Sequence, residues 1–199
     1  MKKNTVVLLI ATLFVIPFSA QAEDVKAIFE KVNTYIEQKN FTKALEELKW
    51  AENEIGKMHN QELKNFFPDE VAGYKGGKVE VSAALGMTNL ERNYTKANNT
   101  VTLTLTGGGA GGAMGGLAGI ARMGMMMGGQ GAGQDTFRIK GQTASLTEQN
   151  NRTELTVLLD SGSMLKLETR AADMGKELRN IAENIKIEEL EKYLKGTVG

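Results

Sequence analysis

Thr100-Val101-Thr102-Leu103-Thr104-Leu105-Thr106 alternates without a fault, with three aliphatic residues on one side of an extended chain and four threonines on the other. Successive side chains of a strand point to opposite faces. The stretch therefore predicts a β-strand with one face on a core and the other solvated or lightly covered. The same period of two recurs on either side. Upstream, Val79, Val81, Ala83 and Leu85 alternate with Lys78, Glu80, Ser82 and Ala84 as far as Gly86, and Thr88 to Tyr94 reads as a weaker strand before the turn Ala97-Asn98-Asn99. Downstream, Thr136 to Lys140 carries Phe137 and Ile139, and Gln142 to Thr147 carries Ala144 and Leu146. Thr153 to Leu159 carries Leu155, Val157 and Leu159, and Met164 to Thr169 closes the series. Gly141, Gln149-Asn150-Asn151 and Asp160-Ser161-Gly162 supply the turns.

Both ends of this strand region change period. From Asp24 to Gln38, Val25, Ile28, Phe29, Val32, Tyr35 and Ile36 recur at three and four, one face of a helix. After a break at Lys39-Asn40-Phe41, Thr42 is placed to cap a second helix whose stripe is Ala44, Leu45, Leu48, Ala51, Ile55 and Met58. Phe66-Phe67-Pro68 ends the helical region, since the residue before proline is pushed out of the helical basin. Near the end of the chain, Asp173 is the expected N-cap of a helix with stripe Met174, Leu178, Ile181, Ala182 and Ile185, and a last helix carries Ile187, Leu190 and Leu194. The expected fold is α+β, a mostly antiparallel sheet of about six or seven strands with helices packed on it and an N-terminal helical hairpin. Residues 23–66 are expected to form the hairpin and 67–199 the α+β domain.

The first residues carry a different signal. Lys2 and Lys3 precede an uncharged apolar run from Thr5 to Phe18, and Ser19-Ala20-Gln21-Ala22 supplies small residues for a signal peptidase. This pattern predicts a secretory signal cleaved between Ala22 and Glu23, too short and wrongly flanked for a stable anchor. A periplasmic or secreted location is expected. Cleavage leaves 22 Lys+Arg against 24 Asp+Glu, a near-neutral balance that gives no reason to expect nucleic acid or bulk anionic lipid as partner. The chain has no cysteine, which removes thiol catalysis, thioether haem attachment, iron–sulfur clusters and thiolate zinc sites. Its one histidine, His59, is expected at the surface near the end of the second helix, and a serine–histidine–acid triad would have to rest on it. No G-x-S-x-G elbow and no G-K-[ST] step occur, so neither hydrolase nor phosphate-loop chemistry is indicated. No cofactor and no enzyme activity are implied.

Between the two groups of strands lies Gly107 to Gly133, GGGAGGAMGGLAGIARMGMMMGGQGAG, in which 13 of 27 residues are glycine, five are methionine and Arg122 is the only charge. Each glycine inside a helix costs about 1 kcal/mol relative to alanine, and Ala113 to Met127 holds Gly115, Gly116, Gly119 and Gly124. The segment is not expected to hold a helix in water without a surface to lie on. Met114, Leu117, Ile120, Met123, Met125, Met126 and Met127 offer flexible, polarizable contact area. These seven are the candidate partner-binding residues, for a hydrophobic protein, a second copy of the chain or a membrane surface. Arg122 argues against full bilayer insertion, at a cost of about 3 kcal/mol. Three further readings stay open: a passive loop with function elsewhere, a soft-metal site in which the thioethers of Met123, Met125, Met126 and Met127 take Cu(I) or Ag(I), and a methionine sink for oxidants. Read as an insert, the segment is expected to be removable, with the flanking strands rejoined through a short turn and the fold intact.

Two resemblances can be stated on these residues. Tyr35, Asn40-Phe41, Ala44, Leu45, Leu48 and Ala51 resemble a single tetratricopeptide unit. Such arrays need about three repeats, so the hairpin is expected to pack on the rest of the protein, with a peptide-binding array as the alternative. The stretch FRIKGQTASLTEQNNRTELTVLLDSGSMLKLETRAADMGKELRNIAENIKIEEL, from Phe137 to Leu190, resembles the closing section of exported bacterial proteins of the PsbP-like fold, including the DcrB-like periplasmic proteins. That resemblance implies an α/β/α sandwich and a non-enzymatic adaptor or assembly role, and transfers no functional residues.

Overall fold

A computed structural model describes residues 24–84, 87–107 and 134–197. Two compact units divide between Glu54 and Ile55. The first holds α1 (Val25–Glu37) and the opening turns of α2 (Phe41–Lys64). The Asp24 side chain accepts from the Lys26 amide at 3.0 Å and satisfies one of the orphan donors at the start of α1. At the other end, the Asn40 amide donates to the Tyr35 carbonyl at 2.8 Å and the Lys39 amide to the Ile36 carbonyl at 2.9 Å. This is the Schellman pair of bonds, with Lys39 at φ 55° in the left-handed position that glycine usually fills. The Asn40 side chain then accepts from the Lys43 amide at 3.3 Å, so the cap of α2 is Asn40 and not Thr42 as the sequence suggested, and the helix begins at Phe41. A three-residue turn thus joins two helices, with Ile28, Val32, Ala44 and Ala51 buried.

The second unit is built on one eight-stranded sheet. Its strands are β1 (Glu70–Val71), β2 (Tyr74–Ala84), β3 (Met87–Lys96), β4 (Asn99–Thr106), β5 (Gln134–Ile139), β6 (Gln142–Gln149), β7 (Arg152–Leu158) and β8 (Met164–Thr169). They lie in the order β1-β2-β3-β4-β8-β7-β6-β5, antiparallel throughout, and are followed by α3 (Gly175–Asn184) and α4 (Ile187–Leu194). The fold is therefore α+β as expected, with one strand more than the upper count. The extra one is β1, whose two residues are too short to show any period. Two consecutive meanders, β1 to β4 and β5 to β8, join through β4 and β8, which set Leu103 opposite Leu167 and Leu105 opposite Leu165. On this face Val101, Leu103 and Leu105 are fully buried in one cluster with Leu90, Tyr94, Leu155 and Val157, together with Leu178 and Ile181 of α3 and Ile187 and Leu190 of α4. The other face is polar. Thr102, Thr104 and Thr106 are half-buried there, Thr102 Oγ1 donates to Asn93 Oδ1 at 2.7 Å, and Leu158 is buried outside the main cluster.

Turns and caps follow local chemistry that the strand period does not carry. Asn150 and Asn151, at φ 50° and 56°, make the two-residue turn between β6 and β7, a left-handed pair that asparagine tolerates. Asp173 sits at φ 57° and does not cap α3. The Gly175 amide donates instead to Glu148 Oε1 of β6 at 2.9 Å, so the cap comes across from the sheet. A Cβ on Gly175 would stand 2.6 Å from that oxygen and 2.6 Å from Leu146 Cδ2, which explains the glycine at the first helical position.

The strand order also fixes the direction of the chain on either side of the Gly/Met-rich stretch. Four antiparallel steps, β4-β8-β7-β6-β5, return β5 to the direction of β4 with three strands between them. Parallel strands need a connection of about a dozen residues or more. The chain that joins these two, residues 108–133, lies outside the described residues. It is nevertheless no insert in a hairpin, and the expectation that a short turn could replace it fails on geometry. From the end of β4 to the start of β5 the chain must cross four strand spacings of about 4.8 Å and run back along about seven residues, roughly 30 Å in all. A four-residue turn reaches about 14 Å at most. Replacing 108–133 with a four-residue turn should abolish the cooperative urea transition, whereas a Gly/Ser linker of equal length should retain it, as followed by circular dichroism.

Candidate functional site

The residues singled out by sequence as partner-binding, Met114, Leu117, Ile120, Met123, Met125, Met126 and Met127, lie outside the described residues, as do the four methionines of the soft-metal alternative and the export signal. Among the described residues no three of His, Asp and Glu gather where they could hold a metal ion. No helix among them is long and apolar enough to cross a membrane.

In two clefts of the second unit a central charged group is held by its neighbours. A cavity of about 460 Å³ has Lys64, Phe67, Asp69, Lys78 and Arg92 among its walls. Arg92 of β3 is buried, and its Nε donates to the Gly77 carbonyl at 2.6 Å, Nη1 to the Phe67 carbonyl at 2.5 Å and Nη2 to Asp69 Oδ1 at 2.5 Å. Desolvating a guanidinium is costly unless its donors are filled, and here they tie the end of α2 and the β1–β2 region to β3. A Cβ on Gly76 would lie 2.4 Å from Arg92 Nε, so that glycine makes the room. Beside it, the Tyr94 hydroxyl donates to the Pro68 carbonyl at 2.9 Å, and burial pushes the phenol up to about 12 against the lowering influence of Arg92.

A second cleft, about 440 Å³, runs along the polar sheet face past Asn93, Asn99, Thr102, Glu168 and Arg170. Burial pushes the Glu168 carboxyl up, but hydrogen bonds from Lys166, at 2.9 Å, and Arg152 outweigh it and hold the group below its ordinary value. A carboxylate stabilised in its ionised form by two cations is a poor proton donor at neutral pH and a weak base. His59, expected at the end of a helix, stands inside α2, half-buried, with its ring stacked at 5.3 Å on Tyr193 of α4 and Nδ1 2.8 Å from the Tyr193 hydroxyl. It works there as a packing contact within the second unit.

The surface that stands out is on the helical hairpin. Phe29 and Ile36 on α1 and Phe41, Leu45 and Leu48 on α2 are 43%, 48%, 60%, 66% and 40% exposed. At 100° per residue, Phe41, Leu45 and Leu48 form one seam of α2, while the buried Ala44 and Ala51 form a second seam roughly a quarter turn away. On α1 the exposed Phe29 and Ile36 stand in a similar relation to the buried Ile28 and Val32. In an antiparallel pair these equal offsets fall on one side. On α2 the alanines thus turn inward and Phe41, Leu45 and Leu48 outward, while α1 buries Ile28 and Val32 and exposes Phe29 and Ile36. On α2 that is the reverse of what burial within the unit would favour. In the sequence both seams merged into one broad helical stripe; the signal that separates them is that the alanines recur at seven while the large residues occupy the neighbouring positions.

No protein-family model, curated protein or solved structure matches the chain.

Two outcomes separate framework from surface. Replacing Arg92 with Met strands the carbonyls of Phe67 and Gly77, and should cost about 3 kcal/mol in urea unfolding. On the hairpin, Leu45→Ser should change stability by no more than about 0.5 kcal/mol, whereas Ile28→Ala should cost about 2–4 kcal/mol; equal losses in thermal melts would show that Leu45 is part of the core.

Proposed function

We propose that this chain is an exported, non-enzymatic binding or assembly protein, periplasmic or secreted, whose principal contact surface is the apolar face of the α1–α2 hairpin. The observation that carries the reading is the arrangement of α2, with Ala44 and Ala51 buried and Phe41, Leu45 and Leu48 exposed on one face. Contiguous exposed apolar area of this kind marks interaction sites on proteins that must remain dispersed. The export pattern Lys2 to Ala22, the absence of cysteine and the resemblance of Phe137 to Leu190 to PsbP-like exported proteins support the same class. So do Arg92 and Glu168, whose charges are engaged by neighbouring groups of the protein. The Gly/Met-rich chain between β4 and β5 remains the second candidate contact, with Cu(I) or Ag(I) capture by Met123, Met125, Met126 and Met127 as its alternative use. A photoactivatable side chain placed at Leu45 in exporting cells should yield a discrete covalent product, and the same group at Trp50, on the far side of α2, should not. Absence of any product specific to position 45 would remove the hairpin as the contact.

A further inference from the structure

Resting on that reading, we infer that the partner covering the hairpin face is a second copy of this chain, which docks the same face in an isologous dimer. Three features of the hairpin point there. First, a helical hairpin of this pattern hides its second face against a neighbour of the same kind, and a second copy of the chain brings the same pattern, Tyr35 to Ala51.

Second, the area fits. The exposed fractions of Phe29, Ile36, Phe41, Leu45 and Leu48 amount to about two and a half large side chains, on the order of 500 Å² of apolar-residue surface. With a polar rim this approaches the roughly 800 Å² that each partner of a standard interface contributes. Third, the rim is mixed in sign. Lys26, Glu37, Lys49 and Glu52 are exposed around the seams, two of each charge. A two-fold axis brings residue i to j and j to i, so a rim with equal numbers of each sign can match itself. A membrane-facing patch would be rimmed mainly by Lys and Arg. Residues 24–54 instead carry five lysines against seven acids, which opposes docking on an anionic bilayer.

The chain has no cysteine, so Leu45→Cys and Trp50→Cys each introduce a single thiol. With a short bis-maleimide at low micromolar protein, Leu45→Cys should form covalent dimer about tenfold faster or more than Trp50→Cys, because the dimer raises the local thiol concentration. Sedimentation equilibrium of the unsubstituted chain should give twice the chain mass, and Leu45→Glu with Leu48→Glu should return it to the single mass. Equal crosslinking rates at positions 45 and 50, or a single-chain mass at tens of micromolar, overturn the dimer. A product at Leu45 that contains a different protein, beside a single-chain mass, would leave the binding reading standing and remove the second copy. A single-chain mass with no product at all removes both.

Discussion

The pairing of β4 with β8 turns two separate meanders into one sheet. Each meander is local, its strands following one another in sequence through short turns, but Leu103 meets Leu167 and Leu105 meets Leu165 across about sixty residues of chain. Those leucines lie in the middle of the buried cluster, and α3 and α4 close over the same face. Without this one non-local pair, each meander would present an unpaired central edge beside a half-covered apolar face. The remaining features of the second unit are consequences of where β4 and β8 place the two halves, including the position from which Glu148 caps α3 and the parallel run of β4 and β5.

What the sequence made legible was whatever repeats locally. Val101, Leu103 and Leu105 alternate, and they are the centre of the core; β8 and α4 begin and end where their patterns do. The pairing partners were not legible, since alternation says which face a residue takes and nothing about which strand lies beside it. Caps were missed for the same reason. Asp173 and Thr42 have the right chemistry in the right neighbourhood, yet Glu148 reaches in from a distant strand and Asn40 stands two residues earlier with its carbonyl already aimed. The two-residue β1 has no period to detect.

The candidate site divided in a similar way. An unusual composition drew attention to the Gly/Met-rich chain, while the hairpin, with ordinary helical periodicity, read as a helix pair packed on the rest of the protein. Periodicity counts apolar residues on a face but does not say how wide a stripe the local partner can cover. On α2 the stripe is wider than the covered seam, and the covered seam belongs to the alanines. Size, not hydrophobicity, distinguishes the two: small residues admit a close helix neighbour and leave the bulky ones beside them standing clear.

The strand order has a bearing on how the chain matures. Synthesis delivers β4 well before β8, and domains assemble in the order in which their parts emerge. Through that interval the free edge of β4, carrying Val101, Leu103 and Leu105, is an open template for any passing extended segment. Alternating threonine and leucine with no charge and no proline between Thr100 and Thr106 is the composition most exposed to such mispairing. The last strand to be made is therefore the one that seals the most adhesive edge, so the vulnerable species in this protein's life is the nascent chain rather than the finished fold.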